Sequence, residues 1–141
     1  MLRKAHCSLI GFNNLGFDYP VIHYMCSQLT ITAPSIYTKA KSIIDTEWSD
    51  RFAHNIWESD HIVKQIDLYK IHHFDNVNRA TSLKMLEFNM RRGRVDDLPF
   101  PPGTILTDEQ LPTLITYTHE DVDATEDFYL RSLSKIAFRK D

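Results

Sequence analysis

The chain of 141 residues predicts an α/β fold that is mostly helical, with two to three strands. Three observations lead there. A short apolar run, residues 7–12, stops at the turn-forming residues 13–16 and gives way to helix-type sequence. A second run, residues 62–71, alternates partly through Ile62, Lys64, Ile66 and Leu68. Most remaining apolar residues recur at helical spacing. The length suits one compact domain, residues 1–141, and is short for two.

In chain order, residues 7–12 read as a buried strand and 13–16 as the turn after it. Asp18 suits the cap of a following helix, and Pro20 suits its first turn, where a missing N–H does no harm. That helix carries Val21, Ile22, Tyr24, Met25 and Leu29, and residues 30–34 break it. Residues 35–48 have helical spacing through Ile36, Ala40, Ile43 and Ile44, whereas 50–59 read as irregular or a short helix. Residues 62–71 are the second strand and 74–80 a polar turn. Thr81 or Ser82 caps a helix with Leu83, Leu86, Phe88 and Met90, ending near Gly93. Pro99, Pro101 and Pro102 keep 97–103 extended. Thr107 with Gln110 is a capping-box pattern opening a long helix toward Arg139, its start delayed by Pro112.

Hydrophobic residues make up 43% and charged residues 25%, which excludes a generally disordered chain. The net charge of −3 gives no support for polyanion binding, so any such role needs local clusters. Arg91, Arg92 and Arg94 are one; Lys64, Lys70, Arg79 and Lys84 are more dispersed. Cys7 and Cys26 form no disulfide framework, and the N-terminal residues do not read as a secretory leader, so a reducing cytoplasm is expected. No apolar run has the length of a bilayer span. The seven histidines lack zinc spacing, and His72 and His73, read as strand residues, point to opposite faces.

The chemistry-bearing residues are Asp18, behind the turn of residues 11–18 (GFNNLGFD), and Tyr117 with Asp121 in YTHED. Tyr117 and Asp121 are four apart, on one face of a helix. Separated carboxylates plus a phenol are the parts of a metal-dependent phosphodiester hydrolase.

Residues 11–18 resemble the second exonuclease motif of family B DNA polymerases, Asn-x-x-x-Phe-Asp, and 117–121 match the third, Tyr-x-x-x-Asp. Residues 66–70 and 82–86 look like the strand and helix that join those motifs in bacteriophage polymerases of this kind. The motifs stand in the family's order, about a hundred residues apart, and the resemblance covers nearly the whole chain. It implies a partial ribonuclease-H-like proofreading domain that removes nucleotides from a single-stranded 3′ end of DNA with two Mg2+ or Mn2+ ions. Carried over by position, Asp18 and Asp121 would each hold a metal, Tyr117 would orient the attacking water, and Asn13, Phe17 and Phe12 would meet the DNA. A phage or prophage protein in the cytoplasm of a bacterial host is implied.

The family also has an Asp-x-Glu strand ahead of its second motif, and residues 1–10 contain no acid. The expectation is therefore a fragment lacking the N-terminal sheet strands and the polymerase domain, weak or inactive alone: either a separate chain supplies the rest, or the chain is a truncated remnant. Ile43-Ile44-Asp45-Thr46-Glu47 imitates the missing motif, but its flanks are helical and it follows the second motif.

Each residue also has a plain structural role. Asp18 can be a cap, Asp121 a solvated charge beside Glu120 and Asp123, and Tyr117 an amphipathic core residue. Asp67, a strand acid between apolar neighbours, reads as structural, with a supporting part in a metal site open to it. The arginine run 91–94 reads as a solvated helix end. The alternative from another class is a non-catalytic DNA-binding or subunit-completing module. A third reading is a resolvase-like nuclease.

Overall fold

A computed structural model describes residues 7–50 and 52–139. It is α/β, with about 53% helix and a small parallel sheet, so helices make most of the core. The chain divides into two compact units, Met1–Lys70 and Ile71–Asp141. Residues 1–6, read above for a leader, lie outside the described residues, as do Arg51, within the 50–59 reading, and residues 140–141.

The first unit is a strand–helix–helix–strand crossover. Strand β1 (Ser8–Gly11) pairs in parallel with β2 (Lys64–Asp67), Ser8 opposite Lys64 and Gly11 opposite Asp67. Parallel neighbours cannot be joined by a tight hairpin. The connection is made by α1 (Asp18–Ser27) and α2 (Ala33–Ile44), which pack on each other. The expected buried strand is not buried. β1 alternates exposed and half-buried residues, with Ile10 39% exposed, because each strand of a two-stranded sheet is an edge. β2 is also shorter than its apolar pattern: at Leu68 the chain turns into the single helical turn α3 (Leu68–Ile71).

Asp18 does not cap α1. Phe17 holds the cap position without a side-chain bond, and Asp18 is the first helical residue. Pro20 fills the first turn and is buried, as its missing N–H allows. The helix stops before Leu29, which is fully exposed. Pro34, read as a breaker, instead lies in the first turn of α2 behind a capping box. There Thr32 Oγ1 accepts from the Ser35 N–H at 3.3 Å and Ser35 Oγ accepts from the Thr32 N–H at 3.1 Å. The core of this unit is Tyr19, Pro20, Val63 and Leu68. The Tyr19 hydroxyl accepts from the Ile62 N–H at 2.7 Å, and its ring meets His61 edge-on at 4.9 Å.

In the second unit His72 and His73 occupy a turn rather than a strand, and His73 takes a left-handed φ of 57°. Helix α4 (Leu83–Asn89) begins at Ser82, whose Oγ accepts from the Met85 N–H at 3.2 Å. It closes through Arg91 at φ 57°, not through Gly93. Helix α5 (Leu111–Phe138) starts late, with Pro112 in its first turn. Only half the expected capping box forms: Gln110 Oε1 accepts from the Thr107 N–H at 3.0 Å. Ala124, Phe128, Ser132 and Ile136 recur every fourth residue and bury one face of α5, and α4 packs against this helix. Among the described residues no helix is long and apolar enough to cross a membrane.

Candidate functional site

The turn after β1 is dictated by contacts that leave little freedom. Asn13 adopts a left-handed φ of 60°, which asparagine tolerates better than most residues. Its carbonyl accepts from the N–H groups of Gly16 and Phe17 at 3.0 and 3.2 Å. A Cβ on Gly16 would stand 2.6 Å from Asn13 Oδ1, and one on Gly11 2.6 Å from Asn14 Cβ. Proximity therefore requires glycine at residue 11, where the buried Asn14 cannot yield, whereas at Gly16 the exposed Asn13 side chain can swing aside.

Asp67 closes this turn from the end of β2. It is 4% exposed. Its Oδ1 accepts from the N–H groups of Asn13 and Tyr69 at 2.9 and 3.0 Å, and its Oδ2 from the Leu15 N–H at 3.1 Å. Burial pushes its pKa above the ordinary carboxylate value, against the pull of those three N–H groups and of Lys70. The structural reading of Asp67 thus holds, and it explains why an acid follows an apolar strand.

Asp18 is exposed along one side, yet the protein packed around its carboxyl raises its pKa. Its own N–H opposes the shift and the Asp67 charge adds to it. Asn13 is exposed, Phe17 half-buried, and Phe12 meets Tyr69 edge-on at 5.2 Å. The structure thus gathers Asn13, Asp18 and Phe12 around the Asp67 turn in the first unit.

The second unit holds the Tyr117–Asp121 pair on α5. Tyr117 and Asp121 stand one helical turn apart on α5, and each acts on the titration of the other. Burial raises Asp121, while the Tyr117 hydroxyl and the Lys84 charge pull it back. Burial also raises Tyr117, and the Asp121 charge adds to this. Lys84 Nζ lies 6.0 Å from the Tyr117 ring centre and 2.5 Å from Asp97 Oδ1. Beside the pair opens a groove of about 350 Å³ whose lining includes Thr113, Tyr117, Arg94 and Asp97.

The sequence reading missed Glu87. It is 6% exposed, and burial first, then the Asp121 charge, raise its pKa. A signal was present: Leu83, Leu86, Glu87 and Met90 follow the i, i+3, i+4, i+7 pattern of a buried helix face.

The arginine run is not merely solvated. Arg92 Nη1 donates to Asp127 at 2.5 Å and to the Asp123 carbonyl at 3.2 Å, and Arg94 pairs with Asp96 at 2.6 Å and Glu120 at 3.2 Å. Asp45, half of the imitation motif, sits at the end of α2 and pairs with Lys41 at 2.6 Å.

Hard carboxylate oxygens suit Mg2+ or Mn2+, and a carboxyl whose pKa is raised by burial is one that a cation would hold ionised. Among the described residues, however, no group of three or more His, Cys, Asp or Glu is placed to hold a metal. Asp18 and Asp121 each fit as a single ligand completed by water, the usual way Mg2+ meets protein. No known protein family matches the chain, and no curated protein or solved structure does so either.

Proposed function

We propose that this chain carries the second- and third-motif regions of a metal-dependent 3′–5′ DNA exonuclease of the phage-type polymerase class, with a ribonuclease-H-like fold. What carries the reading is the Asp18 segment: a strand, a turn whose Gly11 leaves no room for a side chain, and a crowded carboxylate on the first turn of a helix. The Tyr117–Asp121 pair, four residues apart on α5, is the second support. In this reading Asp18 and Asp121 are each metal ligands. Tyr117 orients the attacking water, and Asn13, Phe17 and Phe12 meet the 3′ end of the DNA. When bound, Mg2+ or Mn2+ lowers the pKa of that water and neutralises phosphate charge. Exposed free thiols at Cys7 and Cys26 suit the reducing cytoplasm of a bacterial host.

Residues 1–10 contain no acid, so slow turnover by residues 1–141 alone is expected. Incubation with a 3′-mismatched primer and magnesium should give weak release of nucleoside monophosphate, lost in Asp18→Ala and in Asp121→Ala. Paramagnetic Mn2+ should broaden the resonances of both residues in one titration. Broadening of neither, or digestion indifferent to both substitutions, would overturn the reading. One observation favours the non-catalytic alternative: Tyr117 and Asp121 act on each other from neighbouring turns of one helix, as a purely structural pair would. That alternative predicts DNA binding unchanged by chelation of all divalent ions.

A further inference from the structure

The end of α5 carries cations that nothing above uses. Its middle holds Glu120, Asp121, Asp123, Glu126 and Asp127, but from Arg131 through Lys135 to Arg139 the charges are all positive. Cations at a helix C-terminus suit its dipole, and that alone accounts for these three. It does not account for what they meet. Lys135 Nζ donates to His72 Nδ1 at 3.3 Å, and Arg139 Nη2 contacts His73 Nε2. Arg79, from the turn before α4, is a third cation acting on His72. Lys135 and Arg139 are thus turned to imidazole nitrogens rather than carboxylates, unlike Arg92 and Arg94. Each keeps further N–H donors beyond the one its imidazole takes.

Tautomer follows from wiring. Ser132 Oγ donates to the Phe128 carbonyl at 2.6 Å, so His72 Nε2, 2.8 Å from that oxygen, must be the protonated nitrogen and Nδ1 the acceptor. The neutral ring is stacked on Phe74 at 5.4 Å and tilted over Phe128 at 4.7 Å. Burial first, then Lys135, Arg139 and Arg79, hold its pKa below the ordinary imidazole value. Phe138, 81% exposed, is three residues beyond Lys135 and so on the adjoining helix face.

We propose that Arg79, Lys135 and Arg139, together with His72 and His73, form a phosphate-binding patch that takes the backbone of a single-stranded nucleic acid. Several cations brought together, with no carboxylate bonded to Lys135 or Arg139 among the described residues, are the footprint of a polyanion site, even in a chain whose net charge is −3. An exposed aromatic beside them supplies a surface on which a base can stack. The patch uses neither Asp18 nor Asp121, so it stands or falls separately from the nuclease reading.

The test uses the whole chain in EDTA, where no hydrolysis occurs, and the fluorescence anisotropy of a labelled thymidine dodecamer. Affinity should fall with salt along a log–log slope of about −2, roughly 0.7 for each of three cations. Arg79→Gln, at an exposed turn, should shallow that slope by about 0.7, and Lys135→Gln with Arg139→Gln by about twice as much. Circular dichroism checks that α5 survives. His72, followed by NMR, should titrate at higher pH when the oligonucleotide is bound, since phosphate charge opposes the three cations. A slope unchanged in the variants, or an unmoved His72, overturns the patch. Pyrophosphate binding as tightly as the dodecamer overturns its assignment to a nucleic-acid backbone.

Discussion

The two units wire a histidine to a helix in the same way and an acid in opposite ways. In the first, Lys39 Nζ meets His54 Nδ1 at 3.0 Å, and His54 Nε2 meets Thr46 Oγ1 at 3.0 Å, whose hydroxyl donates to the Ser42 carbonyl at 2.6 Å. In the second, Lys135, His72, Ser132 and the Phe128 carbonyl repeat that order. A hydroxyl bonded four residues back frees its oxygen to accept from a ring nitrogen, so the pattern arises where a Ser or Thr inside a helix, like Ser132, or just past its end, like Thr46, lies near a histidine. The acids differ. Asp67 is held by three backbone N–H groups, whereas Asp121 and Glu87 are set among side chains, Tyr117, Lys84 and Arg92. A carboxylate held by backbone is part of the fold. One held by side chains can exchange partners, which is what a ligand-binding group needs.

That contrast is breakable. Asp67→Ala leaves three N–H groups without their acceptor, at a cost of about 3 kcal/mol or more, and hydrogen exchange should show the first unit opening before the second. Equal loss in both units would mean that Asp67 is not specific to its own turn. The glycines sharpen the same point. Gly11→Ala would press on Asn14 Cβ, which is buried and cannot yield, for about 1–3 kcal/mol. Gly16→Ala meets only the tip of an exposed Asn13 side chain, and should cost under about 1 kcal/mol. Thermal melts of the two variants give the order directly.

The smallest effect is the response to pH, whose sign differs between the groups. Asp67 has a raised pKa in the fold, so its contribution is complete below the ordinary carboxylate value and declines as pH climbs through the raised one. His72 has a lowered pKa, so its contribution is complete above the ordinary imidazole value, about 6.5, and is lost as pH falls through the lowered one. Acidification below neutrality should therefore speed amide exchange around Ser132 and Ile136 while sparing the turn at residues 13–16. His72→Phe, which cannot be protonated, should abolish that acid response.

Much of this was legible in the letters. The strand before Gly11, the cap at Ser82 and the late start of α5 are local matters, decided by residues within one turn of the position concerned. What was not legible depends on distant partners. Nothing around Pro34 tells whether it breaks a helix or opens one until Thr32 and Ser35 are seen to form the box. The parallel register of Gly11 with Asp67, the partners of Arg94 and the burial of Tyr19 all join residues far apart in the chain. The carboxylates at 18 and 121 were chosen by motif. The structure gives each a crowded setting with a raised pKa, in its own unit.

Asn14 has a consequence for the first unit. Gln65 Nε2 donates to the Val63 carbonyl at 2.9 Å, and Asn14 Nδ2 donates to Gln65 Oε1 at 2.8 Å. The row runs in a single direction, so Asn14 ends it with an enclosed oxygen that accepts from no group among the described residues. Rotating that amide would put two oxygens face to face and cut Asn14 off from Gln65. The unit therefore carries a built-in weakness of about 1–3 kcal/mol at the back of the very loop that presents Asp18. A shape-matched leucine at that site would give up the Gln65 bond yet remove the stranded oxygen, trading a rigid loop for a steadier interior.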